Sequence, residues 1–129
     1  MSEFQRLNPK SQASLLLTLN FKEDAMMLNE GILNELESPK QVQILLNEES
    51  KMLALRSCDM DSSQAVLLPA ERTLQVEIGG RSLLRRIKKM TGWKTDQPRV
   101  CIGSPVPEYR AVCFALEDAI IVDAQSREP

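Results

Sequence analysis

Histidine is absent from the chain, and aromatic residues are scarce, with three Phe, one Tyr and one Trp among 129 residues. Without histidine there can be no Ser-His-Asp or Cys-His nucleophilic site, no histidine acid–base chemistry and no histidine-ligated metal. No motif pairs another nucleophile with a base. We therefore expect a protein that is not an enzyme and that uses no cofactor and no metal.

Cysteine and long apolar runs are also limited. The odd number of cysteines, at Cys58, Cys101 and Cys113, and their lack of paired spacing argue against a disulfide framework. No run approaches the ~18–20 apolar residues that a membrane span needs, and the polar first residues do not resemble a signal peptide. These features predict a cytoplasmic protein without a membrane partner.

Aliphatic residues dominate what remains. Hydrophobic residues make up 43% of the chain, which together with five Gly is typical of one compact domain or two very small ones. Because aromatic residues are so few, Leu, Ile, Val and Met must form most of the core.

The first part of the chain predicts a strand, a helix and a hairpin. Over 15–21 the apolar residues Leu15, Leu17, Leu19 and Phe21 alternate with Leu16, Thr18 and Asn20, which is the period of a strand. Asn29 is a good cap for a short helix that Pro39 stops after Ser38. Strand-like runs at 41–46 and 52–55 then flank a polar turn, as in a β-hairpin.

The second part repeats this order. Alternation over 74–78 predicts a strand, and Ser82 is placed to cap a helix that ends at Gly92. Further strands are predicted at 100–102, 111–116 and 119–122. The prolines within 103–109 favour a loop there.

Together these elements predict an α+β fold of two pseudo-repeated strand–helix–β-hairpin halves packed as one domain. The predicted organisation is a flexible arm (1–13), a first half (14–57), a linker (58–72), a second half (73–123) and a frayed tail (124–129). The alternative is two unlike α+β segments that share one sheet. In both cases each half is too small to bury its own apolar face, so the halves must pack together.

Charge is segregated along the chain although the net charge is only −2. Residues 81–99 hold seven cations against the single acid Asp96, a net charge of +6. On a helix the apolar residues of this stretch share one face and the cations the other, so the cationic side could meet phosphates. The candidate nucleic-acid-binding residues are Arg81, Arg85, Arg86, Lys88, Lys89, Lys94 and Arg99. The alternative is a solvated helix face that balances charge within the protein.

Residues 22–49 have the opposite character, with seven acids against Lys22 and Lys40, a net charge of −5. This stretch is either solvated surface or one side of a self-association in which the acidic half of one chain meets the basic half of another. In such a contact, charge complementarity would set orientation more than affinity.

The residues from Phe21 to Arg56 resemble an AbrB-type (SpoVT/AbrB, MazE-like) swapped-hairpin element, with a short strand, a capped short helix, an alternating strand, an acidic turn and a basic-ended strand. The resemblance implies that two such elements in one chain form an AbrB-like pseudo-dimer and that DNA is a possible ligand. The family binds DNA through basic residues near its hairpin, whereas this segment is acidic and offers only Lys22 there.

Most of 15–123 also resembles an uncharacterised protein family of Gram-positive bacteria and their mobile elements. The similarity lies in the runs Gln-Val-Gln-Ile-Leu, Leu-Ala-Leu-Arg-Ser-Cys-Asp and Leu-Leu-Arg-Arg-Ile…Met-Thr-Gly-Trp, and it implies no activity. Two functions are therefore open. The first is a protein-interaction or assembly module with a protein partner or a second copy, and the second is a DNA-binding regulator or accessory protein that uses the basic helix.

Overall fold

Nine β-strands and two α-helices form along residues 14–58, 65–68 and 75–122, the part of the chain that the computed structural model describes. Strands account for 48% of these residues, and the helices together with the short 3-10 turns account for 24%. The strands are β1 (Leu16–Asn20), β2 (Ala25–Asn29), β3 (Gln41–Asn47), β4 (Met52–Cys58), β5 (Ala65–Leu67), β6 (Gln75–Gly79), β7 (Arg99–Val106), β8 (Ala111–Ala115) and β9 (Ile120–Ile121). The helices are α1 (Glu30–Glu35) and α2 (Arg81–Thr91), and short 3-10 turns lie at Pro107–Tyr109 and Leu116–Asp118.

All the strands pair antiparallel in one continuous sheet with the order β5-β3-β4-β8-β7-β1-β2-β6, and β9 adds to β7. The sheet curls into a nearly closed, barrel-like shape. Three hairpins, β1–β2, β3–β4 and β7–β8, come from neighbouring strands in sequence, with Leu17 opposite Leu28 in the first. The other pairs join strands that are not consecutive along the chain.

Strand β7 connects the two sides of the sheet. Its first residues, Arg99 to Ile102, pair with β1, and its last, Gly103 to Val106, pair with β8. Pro105 fits into this strand because pairing with β1 has already ended at Ile102, so that edge of β7 needs no N–H from residue 105.

The core fills the inside of the curled sheet with the apolar residues of the alternating strand pattern. Leu17, Leu53 and Phe114 are fully buried, and both helices contribute side chains from their apolar faces. The buried side chains of the helices are those of Ile32 and Leu33 in α1 and of Leu84 and Ile87 in α2. Burial of such side chains is the dominant favourable term in folding.

Helix α1 begins where it was predicted to begin. The Asn29 side chain accepts a hydrogen bond from the Ile32 N–H at 3.1 Å, which confirms Asn29 as the N-cap. The helix ends earlier than predicted, at Glu35 instead of Ser38, because Glu37 and Ser38 adopt left-handed backbone conformations, with φ of 62° and 51°, before Pro39 is reached.

Helix α2 ends as predicted at Gly92, which has a left-handed φ of 82°. Its start was predicted wrongly. Gly80, not Ser82, occupies the N-cap position, so the cap has no side chain to accept a hydrogen bond, and Ser82 lies inside the first turn of the helix.

The predicted fold class is wrong. The chain does not form two α+β halves that resemble an AbrB-like pseudo-dimer, because antiparallel strands predominate and those of both segments intermix in one sheet: β6 pairs with β2, β7 with β1, and β8 with β4. Alternation of apolar residues predicts that a strand forms but not which strand lies beside it. The predicted arm at 1–13, the tail at 124–129 and most of the linker at 58–72 lie outside the described residues.

None of the helices in the described ranges has both the length and the apolar character that crossing a membrane would require.

Candidate binding surface around the second helix

The amphipathic pattern of α2 decides which of its side chains reach the surface. Leu84 and Ile87 are buried against the core, so Arg85, Arg86 and Lys89 point away from it and are exposed. These three cations therefore lie on the outer side of the helix, as the helical periodicity indicates, whereas Lys88 is only partly exposed.

Two of these cations form ion pairs with acids of the first segment. The Nε and Nη2 atoms of Arg86 donate to one carboxylate oxygen of Glu48, at 3.2 and 3.1 Å, and Arg81 lies 3.9 Å from a carboxylate oxygen of Asp24. Both pairs are largely exposed, so each contributes only about 0–1 kcal/mol. Part of the charge segregation seen in the sequence is thus neutralised within one chain.

Lys88 is the least exposed of the paired cations. Its side chain is 27% exposed, it donates a hydrogen bond to Asp96, and its Nζ lies 5.7 Å from the centre of the Phe21 ring. The hydrogen bond from Lys88, followed by its positive charge, lowers the pKa of Asp96 below its ordinary value, and the charge of Lys22 adds a smaller lowering.

Arg99 stands apart from the helix and lies against an aromatic ring. Its guanidinium carbon is 4.0 Å from the centre of the Trp93 ring, and its buried Nε has no hydrogen-bond partner among the described residues. Trp93 in turn meets Phe21 edge to face, with 6.0 Å between ring centres. A continuous row of contacts therefore runs through Lys88, Phe21, Trp93 and Arg99, with the two rings in the middle and a cation at each end.

Arg85, Lys89 and Lys94 form no ion pair with a described residue. All three side chains are exposed. Arg85 and Lys89 lie one helical turn apart on the same side of α2. Within the described residues, these three cations can meet a ligand without first leaving an acid.

A cleft opens between α2 and the turn that joins β1 to β2. We refer to it as the α2 cleft; its volume is about 220 Å³. The residues that line it are Phe21, Asp24, Arg81, Leu84, Arg85, Lys88 and Asp96. Arg86 and Lys89 border a separate depression of about 440 Å³ beside Glu48 and Met90.

The seven predicted residues thus do not form one uniform patch. The α2 cleft brings Arg81, Arg85 and Lys88 together, whereas Arg99 is held on Trp93 outside it. Sequence reasoning did not place the acids and rings that complete this region beside the cations: Asp24, Glu48, Asp96, Phe21 and Trp93. The acids carried a signal, because Asp96 is the single acid within 81–99 and the other two belong to the acidic stretch 22–49.

Acidic side chains of α1 are the counterpart of this surface. Glu30 and Glu35 lie in α1, Glu37 lies two residues beyond its end, and none of the three forms an ion pair with a described residue. Within residues 14–58, 65–68 and 75–122, no group of three or more Cys, Asp or Glu side chains is arranged to hold a metal ion.

Comparison of the chain with protein-family models, with curated proteins and with solved structures found no match. The resemblance to AbrB-type proteins therefore stays a prediction.

Proposed function

We propose that the protein is a non-enzymatic assembly module that associates with further copies of itself through opposite charges on its two helices. One observation carries this proposal: after the ion pairs within the described residues have formed, α1 still presents unpaired acids and the α2 region still presents unpaired cations. Within these same ranges no ion pair joins α1 to α2, so the complementary partner for each surface is best supplied by another chain.

Contacts of this kind are weak and sensitive to salt. Exposed charges attract one another over about 8–10 Å at moderate ionic strength, and added salt screens them. Their main effect is to set orientation and the rate of encounter. A contact between two different surfaces of the same chain closes into a ring or a symmetric dimer, or continues as an open chain of copies.

Sedimentation velocity of the purified chain tests the proposal directly. We expect association at high protein concentration in about 20 mM salt and mainly monomer in about 500 mM salt. The double variant Arg85→Glu/Lys89→Glu should be monomeric in both conditions, because its α2 surface then repels α1 of a second copy.

Charge exchange makes the test specific. Glu35→Lys/Glu37→Lys should also be monomeric alone, but a mixture of the two double variants should associate, because each restores a complementary pair of surfaces for the other. Arg56→Glu/Glu108→Lys changes exposed charges outside both helices and should associate like the unchanged protein. A monomer at every concentration and salt, or a mixture that stays monomeric, would contradict the proposal.

Nucleic-acid binding is the second candidate, and the exposed cations Arg85, Lys89 and Lys94 favour it. The ion pairs of Arg81, Arg86 and Lys88 limit it, because those cations must leave an acid before they meet a phosphate. A titration on duplex DNA over a range of salt decides this candidate. Arg85→Ala and Lys89→Ala should each lower the salt slope by about one, because each removes a cation that neutralises a phosphate, and no binding at low salt would exclude this function.

A cytoplasmic location also belongs to this proposal. Cys101 and Cys113 are thiols that form no disulfide, as is usual for proteins of a reducing compartment. Fractionation of cells that express a tagged chain would test it.

A further inference from the structure

We propose that the α2 cleft is a binding site for a phosphate dianion, either inorganic phosphate or the phosphate group of a small monoester. This inference does not depend on self-association, because it concerns only the cations that line the cleft, and of the two cations substituted in the self-association test only Arg85 is among them. Variants of two neighbouring residues can test the two proposals separately, because Lys88 lines the cleft and Lys89 does not.

The helix brings its cations to the cleft by its periodicity. Arg81, Arg85 and Lys88 are spaced so that they lie along one side of α2, with Leu84 between them. Leu84 and Phe21 are buried and form an apolar floor, so the charged groups converge above a surface that cannot solvate them. Cations held together in this way repel one another unless an anion lies between them.

The acids of the cleft neutralise this charge incompletely. Asp24 pairs with Arg81 and Asp96 pairs with Lys88, whereas Arg85 faces the cleft without any ion pair to a described residue. Three cations and two carboxylates leave a net charge of +1. One of the three cations therefore lacks a carboxylate partner among the residues that line the cleft. Arg81 lies 3.9 Å from Asp24, which is long for an ion pair, so its guanidinium group can turn to a better hydrogen-bond acceptor.

A phosphate dianion fits this set of donors better than the carboxylates do. Two guanidinium groups can each donate a forked pair of hydrogen bonds to its oxygens, and an ammonium group adds a third charge-assisted contact. Lys88 is partly removed from water, which strengthens its interaction with an anion. The volume of about 220 Å³ is below the ~300–1,000 Å³ of sites for larger ligands, so the site suits a phosphate group with at most a small substituent.

The chain contains its own reporter for this site. Trp93 is the only tryptophan, its ring contacts Phe21, and the Phe21 ring lies beneath Lys88. Trp93 fluorescence of the full chain should therefore change and saturate when sodium phosphate or glycerol phosphate is added at constant ionic strength. Sodium chloride at the same ionic strength is the control for screening.

Substitution of cations and of an acid in the cleft tests whether their charges determine phosphate binding. Arg85→Gln and Lys88→Gln should each weaken phosphate binding about tenfold, since each removes a charge-assisted hydrogen bond. Asp96→Asn should tighten binding several-fold, because it removes the acceptor that competes for Lys88. The matched variants Lys51→Gln and Glu117→Gln break an exposed ion pair outside the cleft and should leave binding unchanged.

The results show whether the ligand is free phosphate or a small phosphate ester, and they include results that would overturn the proposal. Equal dissociation constants for both compounds identify the phosphate group itself as the ligand, and a tenfold tighter constant for glycerol phosphate identifies a small phosphate ester. A response that does not saturate or that equals the chloride control overturns the proposal, as does unchanged binding by Arg85→Gln. Arg85 forms no ion pair with a described residue, so that variant should fold normally. Isothermal titration calorimetry provides a readout independent of Trp93.

Discussion

Gly103 lies directly opposite Phe114 across β7 and β8, and the Phe114 ring occupies the space that a side chain at residue 103 would need. A Cβ atom at this position would come within 2.7 Å of Cε2 of Phe114 and 2.5 Å of Cγ1 of Val112. Gly103 is also the residue at which β7 changes from pairing with β1 to pairing with β8. The glycine therefore allows the fully buried Phe114 ring to pack against the backbone where the two sides of the sheet meet.

Gly103→Ala should destabilise the protein by about 1–3 kcal/mol, because the added methyl group forces well-packed neighbours to shift. Gly79→Ala is the matched control, since a Cβ there would have no atom within 4 Å and the backbone φ is not positive. We expect that control to be neutral or to gain about 0.4–1 kcal/mol through a less flexible unfolded chain. Urea unfolding monitored by circular dichroism measures the free energy of unfolding of both variants. If the two variants are equally stable, the structure accommodates a Cβ atom at residue 103 without loss of stability.

Asn29 connects the start of α1 to the start of β1. Its Oδ1 accepts hydrogen bonds from the N–H groups of Ile32 and Leu16, at 3.1 and 3.2 Å, and its Nδ2 donates to the Ser14 carbonyl oxygen at 2.9 Å. Asn29→Ala should therefore cost about 1–2 kcal/mol of unfolding free energy. Asn29→Asp should cost less, because it keeps the acceptor oxygens.

Asn34→Ala is the control for that experiment, since Asn34 lies within α1 and its change should stay within about 0.5 kcal/mol. Chemical denaturation of the three variants provides the comparison. An Asn29→Ala variant as stable as the Asn34→Ala variant would show that water replaces the cap without loss.

Cys101 should make the stability fall at alkaline pH. Burial raises the pKa of its thiol from 9.0 to about 12, against a smaller lowering by Arg99. Above about pH 9 the unfolded chain loses this proton while the folded chain keeps it, so the folded state binds more protons and stability falls as pH rises. The loss should be about 1.4 kcal/mol between about pH 8 and about pH 10.

Cys101→Ala should remove the part of the pH dependence of stability that the Cys101 thiol causes. The part that arises from other ionisable groups should remain. The measurement is the difference in unfolding free energy between the two proteins at each pH. In the native protein, Cys101 should also resist a thiol reagent that labels the half-buried Cys113. Parallel stability curves for the two proteins would be inconsistent with a buried, protonated thiol.

Local chemistry made some of this structure predictable from the sequence. The caps at Asn29 and Gly92 follow from side-chain and backbone preferences that act within one helical turn. The strand order does not, because β4 and β8 are brought together by packing between distant residues. Pro105 shows the same limit. In the sequence a proline indicates a loop, and only the pairing of β7 with β8 on one side shows that a strand can contain it.

The candidate site, like the fold, could be predicted from the sequence only in part. Helical periodicity is enough to place Arg85 and Lys89 on the outer side of α2. It cannot predict that Arg86 meets Glu48, because these residues are 38 positions apart and come together only through the tertiary fold. The net charge of +6 counted along the sequence therefore overstates what the folded surface offers to a ligand.

Lys88 and Asp96 provide a direct test of the geometry around the α2 cleft. The hydrogen bond and the charge of Lys88 lower the Asp96 pKa below 3.8, so a carboxyl-carbon NMR titration should find Asp96 ionised at lower pH than an ordinary aspartate. Lys88→Met should return the pKa to near its ordinary value. Lys22→Met should raise it only slightly, because Lys22 acts through its charge alone.

The same pair determines how this region responds to acid. Because the folded-state pKa of Asp96 is lowered, its stabilising effect is present above about pH 4 and is lost as pH falls through the lowered pKa. Asp96→Asn should lack this dependence, and the effect should be small because the carboxylate is exposed. An ordinary pKa for Asp96 in the unchanged protein would show that Lys88 is not held at Asp96 in solution. The cleft would then have two unpaired cations, and phosphate should bind it more tightly than the paired geometry implies.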